Sequence, residues 1–275
     1  MKGSAASVTG PGTIENVAYT IVYDGSEFEK EAYVYVPAAY DGDPMNILYL
    51  LHGSQGSGED LAKTMAPLLD TWIQNGEIQP LLAVFPTYYP DRSYVVSDYS
   101  QDYPLNHFFA TEEVIPLMQA VEGTFRTYAE GTDKAGLSAG RSHRAFGGYS
   151  MGGVTTWDMA AYQSAYFADF MPMAGDCWLD RVTEAAGDEQ VADLLLRGLA
   201  DNGFAADDFR IIAMVGENDG TRYSMQPQIE ALRFHTDLIR DDNLIYWENT
   251  GGTHSMESFV AEVHHGIPYL FKHNN

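Results

Sequence analysis

A serine flanked by glycines forms the motif in this chain that most clearly suggests chemistry. The segment GYSMG, Gly148 to Gly152, fits the pattern G-x-S-x-G, in which a serine occupies a strained turn between a strand and a helix. The two glycines leave room for such a turn, which would lift the hydroxyl of Ser150 clear of a sheet. Because the flanking sequence resembles a strand and then a helix, we favour a nucleophilic serine over an ordinary glycine-rich turn.

A histidine and a carboxylate must accompany this serine, because a hydroxyl is a weak nucleophile until a base removes its proton. After a G-x-S-x-G serine the acid comes next along the chain and the histidine last. Asp219 follows the strand-like run FRIIAMVG, and His254 lies in the loop sequence GGTHSM before the final helix. Asp219 would also suit an ordinary turn, whereas Glu217 is too close to the strand to serve as the acid. We therefore predict a catalytic group of Ser150, Asp219 and His254.

An oxyanion forms when a serine attacks a carbonyl carbon, and two backbone N–H groups must point at it. One donor is the residue after the nucleophile, which is Met151. The other donor belongs to the loop after an earlier strand, here the sequence LLHGSQGSGED. We predict Ser54 as this second donor, with Gly53 as the alternative.

Short apolar runs alternate with longer stretches of helical period, which predicts an α/β fold with a mostly parallel central sheet and helices on both faces. In such sheets the ligand site lies at the carboxyl ends of the strands, where all the candidate residues fall. Helices are predicted at residues 59–74, 105–128, 151–162, 184–199, 227–238 and 255–271. Strands are predicted at TIENVAYTIVY, EAYVYVP, NILYLLHG, LLAVFPT, RAFGGYS, FMPMAG, FRIIAMVG and NLIYWEN. Residues 87–104, which are rich in tyrosine, and residues 129–143 are predicted as surface loops.

The composition disfavours several classes of partner. Thirty-nine acidic against 15 basic residues give a net charge of −24, which would repel nucleic acid and the anionic head groups of membranes. No apolar run approaches the roughly 20 residues that span a bilayer. Cys177 is the only cysteine, so neither an internal disulfide nor a cysteine metal cluster can form. We find no linker and predict a single domain over residues 1–275, with residues 1–12 flexible.

The longer runs around these motifs resemble a known family. The sequences FGGYSMGGVTTW, LLHG, FMPMAGDCW, PQIEAL and GGTHSM are similar to those of the feruloyl esterase modules attached to bacterial xylanases. These modules belong to the esterase D-like α/β-hydrolases of carbohydrate esterase family 1. The resemblance covers nearly the whole chain, and HRAFGGYSMGG and MPMAGDCW are its most specific parts.

The resemblance implies the α/β-hydrolase fold and the same three catalytic residues, Ser150, Asp219 and His254. It implies in addition an aromatic platform at Trp178 for a phenolic acid, and Asp176 is a candidate for a hydrogen bond to a phenolic hydroxyl. The chain departs from the family at Cys177, where an aromatic residue is usual, and in the tyrosine-rich loop. These departures leave the preferred ring pattern of the acid open.

The expected activity is that of a serine carboxylesterase that releases ferulate and related hydroxycinnamates from arabinoxylan, with no metal or organic cofactor. The expected partners are feruloylated arabinoxylan or its oligosaccharides and small hydroxycinnamate esters. The sequence predicts no oligomeric state for the protein. A polymeric substrate implies secretion, although the single cysteine fits a cytosolic protein equally well. The same residues would also serve an esterase of acetylxylan or of a short-chain acyl group, or an acyl transferase. A catalytically inactive module that binds carbohydrate or phenols is the alternative from another class.

Overall fold

A single sheet carries the fold. The computed structural model describes residues 10–273. Within them, eight strands form the sheet: β1 (Thr13–Tyr23), β2 (Ser26–Val36), β3 (Ile47–Leu51), β4 (Leu82–Phe85), β5 (Arg144–Tyr149), β6 (Asp169–Met173), β7 (Arg210–Gly216) and β8 (Leu244–Asn249). The strand order is β1-β2-β4-β3-β5-β6-β7-β8. β1 and β2 form an antiparallel hairpin, β2 pairs antiparallel with β4, and all later pairings are parallel.

The central strands are covered on both faces. Every residue of β3, β4, β5 and β6 is buried, which is the pattern of parallel strands between two layers of helix. β1 instead alternates buried and exposed residues over its second half, as a strand at the sheet edge does. The predicted α/β class and mostly parallel sheet are therefore confirmed, and the eight predicted strand runs all contain strands.

Helices connect the parallel strands. They are α1 (Gly58–Gln74), α2 (Tyr103–Phe108), α3 (Val114–Thr124), α4 (Lys134–Ala139), α5 (Met151–Tyr162), α6 (Asp188–Asp201), α7 (Arg222–Arg233) and α8 (Met256–Gly266). One π-helical turn, Phe109–Glu113, joins α2 to α3. Together these three segments correspond to the helix predicted at 105–128, and they begin two residues earlier and end four residues earlier than predicted. None of the helices within residues 10–273 is long and apolar enough to cross a membrane.

Two predictions of local structure were wrong for identifiable reasons. Residues 129–143 were expected to be a loop, but they contain α4, which begins where the side chain of Asp133 accepts a hydrogen bond from the Gly136 amide. Helix α7 begins at Arg222, five residues before Pro227, because the proline lies inside the helix and does not mark its start.

The flexible start predicted for residues 1–12 lies outside the described residues, except for residues 10–12. In that remainder, the Gly12 amide donates a hydrogen bond of 2.7 Å to Oδ1 of Asp70 in α1. The prediction of a single domain for residues 1–275 stays a prediction.

Candidate active site

The turn at Ser150 is strained, and the surrounding glycines make it possible. Ser150 has φ +57° and ψ −117°, in the left-handed half of the map that a side chain rarely adopts. A Cβ on Gly148 would lie 2.3 Å from the Gly152 carbonyl oxygen, and a Cβ on Gly152 would lie 2.5 Å from the Leu51 carbonyl oxygen. The backbone of this turn therefore packs directly against the end of β3, and only glycine fits at either position.

Ser150, His254 and Asp219 form a continuous hydrogen-bonded chain. Nε2 of His254 lies 3.0 Å from Oγ of Ser150, and Nδ1 of His254 lies 2.7 Å from Oδ2 of Asp219. Three loops supply these groups, after β5, β7 and β8, at the carboxyl edge of the sheet. The structure thus brings together all three residues that the sequence singled out.

Asp219 is held as a charged acceptor. Its residue is only 2% exposed, and its other carboxylate oxygen accepts hydrogen bonds from the amide and the hydroxyl of Thr221. Burial raises the pKa of this carboxyl, but the bonds from His254 and Thr221 outweigh burial and leave the pKa below its ordinary value. Since an ionised carboxylate can only accept, Nδ1 of His254 carries the ring proton, and Nε2 is free to accept the proton of Ser150.

The loop after β3, residues 52–57, lies against the nucleophile. A Cβ on Gly53 would lie 3.1 Å from Cβ and 3.8 Å from Oγ of Ser150. Met151 is the first residue of α5, as the prediction of an oxyanion donor requires. The hydroxyl of Ser54 does not point at a substrate position, because it donates a 2.6 Å hydrogen bond to Oδ2 of Asp102. Which amide of this loop is the second donor stays a prediction.

His52 in the same loop supports the backbone and is not a second base. Its Nδ1 lies 2.7 Å from the Gly53 carbonyl oxygen, which can only accept, so the proton is on Nδ1. Nε2 then accepts from the hydroxyl of Thr87 at 2.7 Å. Burial lowers the pKa of His52 to about 4, against a smaller opposing effect of the Gly53 bond, and the ring is therefore neutral at pH 7.

A cavity of about 890 Å³ opens at these residues, and Trp178 and Asp176 line it beside Ser150, Asp219 and His254. Arg181 was not among the predicted site residues, and its guanidinium lies 3.4 Å from the centre of the Trp178 ring. Its position three residues after Trp178 was the available signal. Burial raises the pKa of Asp176, with Arg181 among the smaller effects that oppose it.

The tyrosine-rich segment, residues 87–104, is partly buried in the wall of the site. Tyr88, Tyr89 and Tyr103 are buried, whereas Tyr99 is exposed and lines the cavity. Trp157 in α5 is fully buried, and its indole N–H donates to the Gly175 carbonyl oxygen.

Glu262 in α8 is a buried acid that sequence reasoning missed. Neither of its carboxylate oxygens has a hydrogen-bond partner among residues 10–273, and the residue is fully buried. Burial, and secondly the negative charge of Asp219, raises its pKa to about 8. No sequence signal marks it, because an acid in an amphipathic helix is usually solvated.

Within the same described residues, no group of metal-binding side chains is close enough to hold an ion.

Comparison with known proteins finds several that are similar to this chain. No protein-family model matches it. Endo-1,4-beta-xylanase Y from Acetivibrio thermocellus is 32% identical over 259 residues, which is 90% of this chain and 22% of the relative. The chain therefore spans only 22% of the length of this relative.

Two solved structures are similar over almost their whole length. A protein abbreviated FAE has 28% identity and a TM-score of 0.78, with coverage of 97% of this chain and 91% of its own. A serine-to-alanine mutant of the feruloyl esterase module from Clostridium thermocellum, complexed with sinapinate, has 26% identity and a TM-score of 0.80, with coverage of 99% and 94%.

The fold and the serine turn place this chain among the α/β hydrolases. Within them, the chain is similar in sequence to part of a xylanase and in structure to a feruloyl esterase module, so the resemblance noted in the sequence is confirmed.

Proposed function

We propose that this chain is a serine esterase that hydrolyses feruloyl and related hydroxycinnamoyl esters of plant cell-wall arabinoxylan. The observation that carries the proposal is the chain of hydrogen bonds from Ser150 through His254 to Asp219, at the opening of a cavity that Trp178 lines. The similarity to feruloyl esterase modules supports the choice of acyl group.

In the first half of the reaction, Oγ of Ser150 attacks the ester carbonyl carbon while Nε2 of His254 takes the hydroxyl proton. Asp219 stabilises the imidazolium that forms. The amides of Met151 and Ser54 donate to the oxyanion of the tetrahedral intermediate, with Gly53 as the alternative second donor. When the intermediate collapses, the bond to the sugar oxygen breaks, and His254 returns its proton to that oxygen.

The second half repeats these steps with water. His254 takes a proton from a water molecule, whose oxygen attacks the acyl carbon on Ser150. Collapse of the second intermediate breaks the bond to Oγ, and His254 gives the proton back to Ser150. The products are the free hydroxycinnamic acid and the sugar alcohol.

The cavity favours a bulky acyl group over an acetyl group. About 890 Å³ is within the range of sites that enclose drug-sized ligands, and an acetyl group would fill only a small part of it. Trp178 and Tyr99 present aromatic surface beside Ser150, which suits a flat phenolic ring. Asp176 lies among the same lining residues and is our candidate for an acceptor of the phenolic hydroxyl.

The proposed natural substrate is feruloylated arabinoxylan or one of its oligosaccharides. Because such a polymer does not enter cells, we propose that the protein acts outside the cell. The strongly acidic surface fits a substrate without phosphate groups.

Rates of hydrolysis test the proposal. We expect purified protein to cleave methyl ferulate, sinapate, caffeate and p-coumarate with higher kcat/KM than p-nitrophenyl acetate. Ser150→Ala should lower kcat by at least about 10⁴-fold and abolish labelling by a fluorophosphonate probe. Ser138→Ala is the matched control, since its hydroxyl donates to the Ala165 carbonyl oxygen and it is not among the residues that line the cavity. Near-normal turnover by Ser150→Ala would contradict the mechanism, and preference for acetate would contradict the acyl group.

A further inference from the structure

One buried carboxylate accepts hydrogen bonds from several hydroxyl groups next to the loop after β3, residues 52–57. Asp102, at the end of the tyrosine-rich segment, is completely buried. Its Oδ2 accepts hydrogen bonds from Oγ of Ser54 at 2.6 Å, from the hydroxyl of Tyr89 at 2.7 Å and from the hydroxyl of Tyr88 at 2.9 Å. No ion pair to Asp102 is formed by the residues that the structure describes.

This carboxylate is tied to two consecutive residues of the loop. Ser54 is bound directly through its hydroxyl. Gln55 is bound through Tyr89, because the Gln55 amide donates to the Tyr89 hydroxyl at 2.9 Å while that hydroxyl donates to Asp102. Gln55 has φ +63°, which a residue with a side chain adopts only when its surroundings impose it.

The direction of each bond follows from the charge of the acceptor. A carboxylate has no hydrogen to donate, so each hydroxyl must turn its own hydrogen toward Asp102. The Tyr89 oxygen then has its lone pairs left for the Gln55 amide. Charge-assisted bonds of this kind are short and strong, and they fix the side chain of Ser54 and the peptide unit that follows it. The Ser54 amide belongs to the preceding peptide unit, whose Gly53 carbonyl oxygen accepts from Nδ1 of His52 at 2.7 Å, so Asp102 restrains this amide through the side chain and Cα of Ser54.

We propose that Asp102 is a positioning residue for catalysis, which holds the backbone of Ser54 and Gln55 in the orientation that the oxyanion requires. This inference rests on the proposed esterase function. It assigns the tyrosine-rich segment a catalytic purpose: Tyr89 transmits the fixed position of Asp102 to the loop beside Ser150, and Tyr88 donates to the same carboxylate oxygen.

The carbonyl oxygens of the same loop have support that does not pass through Asp102. Arg92 donates to the carbonyl oxygens of Gly56 at 2.6 Å and Gln55 at 3.3 Å, and His52 donates to that of Gly53. Loss of the Asp102 contacts should therefore loosen the loop locally without unfolding it.

Tyr89→Phe tests the inference, because it removes the link between Asp102 and the Gln55 amide and keeps the ring. The matched control is Tyr35→Phe, which removes another buried tyrosine bond, from the Tyr35 hydroxyl to Oδ1 of Asp70 at 2.7 Å, away from the site. Both variants should lose similar thermal stability. Only Tyr89→Phe should lower kcat for methyl ferulate and p-nitrophenyl acetate, by about tenfold, with KM within about twofold of wild type.

Ser54→Ala gives a second reading, since it keeps the amide and removes only the hydroxyl bond to Asp102. We expect kcat to fall by about tenfold here too. In the double variant with Tyr89→Phe, the fold-loss in kcat should be smaller than the product of the two single-variant losses. Binding of phenylboronic acid, which forms a tetrahedral adduct with a nucleophilic serine, should weaken in proportion to kcat. Binding of ferulate should be unchanged.

The outcomes separate this inference from the proposed function. A wild-type protein that cleaves no ester overturns both. An active wild type whose Tyr89→Phe and Ser54→Ala variants keep kcat within twofold overturns only the positioning role of Asp102. The same holds if Tyr35→Phe lowers kcat as much as Tyr89→Phe, because the effect is then one of general destabilisation.

Discussion

The two sides of the cavity are built from different kinds of contact. The oxyanion wall, residues 52–57, is held by directional hydrogen bonds: His52 and Arg92 donate to its carbonyl oxygens, and the hydroxyl of Ser54 donates to Asp102. In the ring wall, residues 176–181, Trp178 is held by contacts of its ring: the Arg181 guanidinium lies on its face, and the ring of Tyr103 is 5.6 Å away in an edge-on arrangement.

This difference matches what each wall has to do in the proposed esterase. A donor to an oxyanion must be placed within a few tenths of an ångström, and hydrogen bonds supply that restraint. A flat ring can slide on another flat ring at little cost, so stacked contacts suffice where only an acyl ring is to be bound. The comparison predicts that changes in the oxyanion wall alter rates for all esters, whereas changes in the ring wall alter the choice of ester.

Gly53→Ala should have the largest effect of the changes to the two walls. Its Cβ would lie 3.1 Å from Cβ of Ser150 and 3.2 Å from the Tyr149 carbonyl oxygen, so the loop must move away from the nucleophile. We expect kcat to fall by about a hundredfold for methyl ferulate and p-nitrophenyl acetate alike. Gly10→Ala, where an added Cβ has no neighbour within 4 Å, is the control. A loss confined to one of the two substrates would break the comparison.

Trp178→Ala should change selectivity. We expect kcat/KM for methyl ferulate to fall by about tenfold, from the loss of a stacking surface, while kcat for p-nitrophenyl acetate stays within about twofold. Trp247→Ala removes another stacked tryptophan, whose ring lies 4.0 Å from that of His265 and which does not line the cavity. An equal loss with both esters would show that the ring wall also positions the catalytic groups.

Glu262→Gln tests the buried acid whose pKa the charge of Asp219 helps to raise. The pKa of Glu262 is raised from 4.5 to about 8, so between these values the folded protein holds a proton that the unfolded chain has released. Its contribution to stability is therefore full below pH 4.5 and is lost as the pH rises toward 8. We expect the wild-type free energy of unfolding to fall by about 1.4 kcal/mol more per pH unit in this window than that of the variant. Urea denaturation at pH 5.5 and 7.5 measures the difference, and equal slopes would contradict it.

Arg181→Ala should have the smallest effect and the opposite sign to Trp178→Ala. The guanidinium covers one face of the indole, and an acyl ring can stack there only after the guanidinium has left. An exposed cation–π contact is worth about 0.5–1 kcal/mol, so its removal should raise kcat/KM for methyl ferulate by about threefold. Arg233→Ala is a charge-matched control, because Arg233 is the last residue of α7 and does not line the cavity. A decrease with Arg181→Ala would mean that the acyl ring stacks on the guanidinium itself.

Sequence reasoning reached the architecture and the chain of Ser150, Asp219 and His254 through local signals. The glycines around Ser150 mark a turn that only small residues allow, and the acid and the base each follow a recognisable strand. It did not reach Asp102, Arg181 or Glu262. Their importance depends on neighbours distant in sequence, such as Ser54 for Asp102 and Asp219 for Glu262.

The amino-acid sequence by itself determined the α/β layout and where its reactive groups fall along the chain, because apolar period, glycine position and strand ends are properties of short segments. Only the tertiary structure decided which buried charges face one another across loops. Asp102 is, in the sequence, one more polar residue of a tyrosine-rich loop, and it becomes an acceptor for Ser54, Tyr88 and Tyr89 only when folding buries its carboxylate beside their hydroxyl groups. Burial and distance set the strength of these interactions, and neither is written in any one segment.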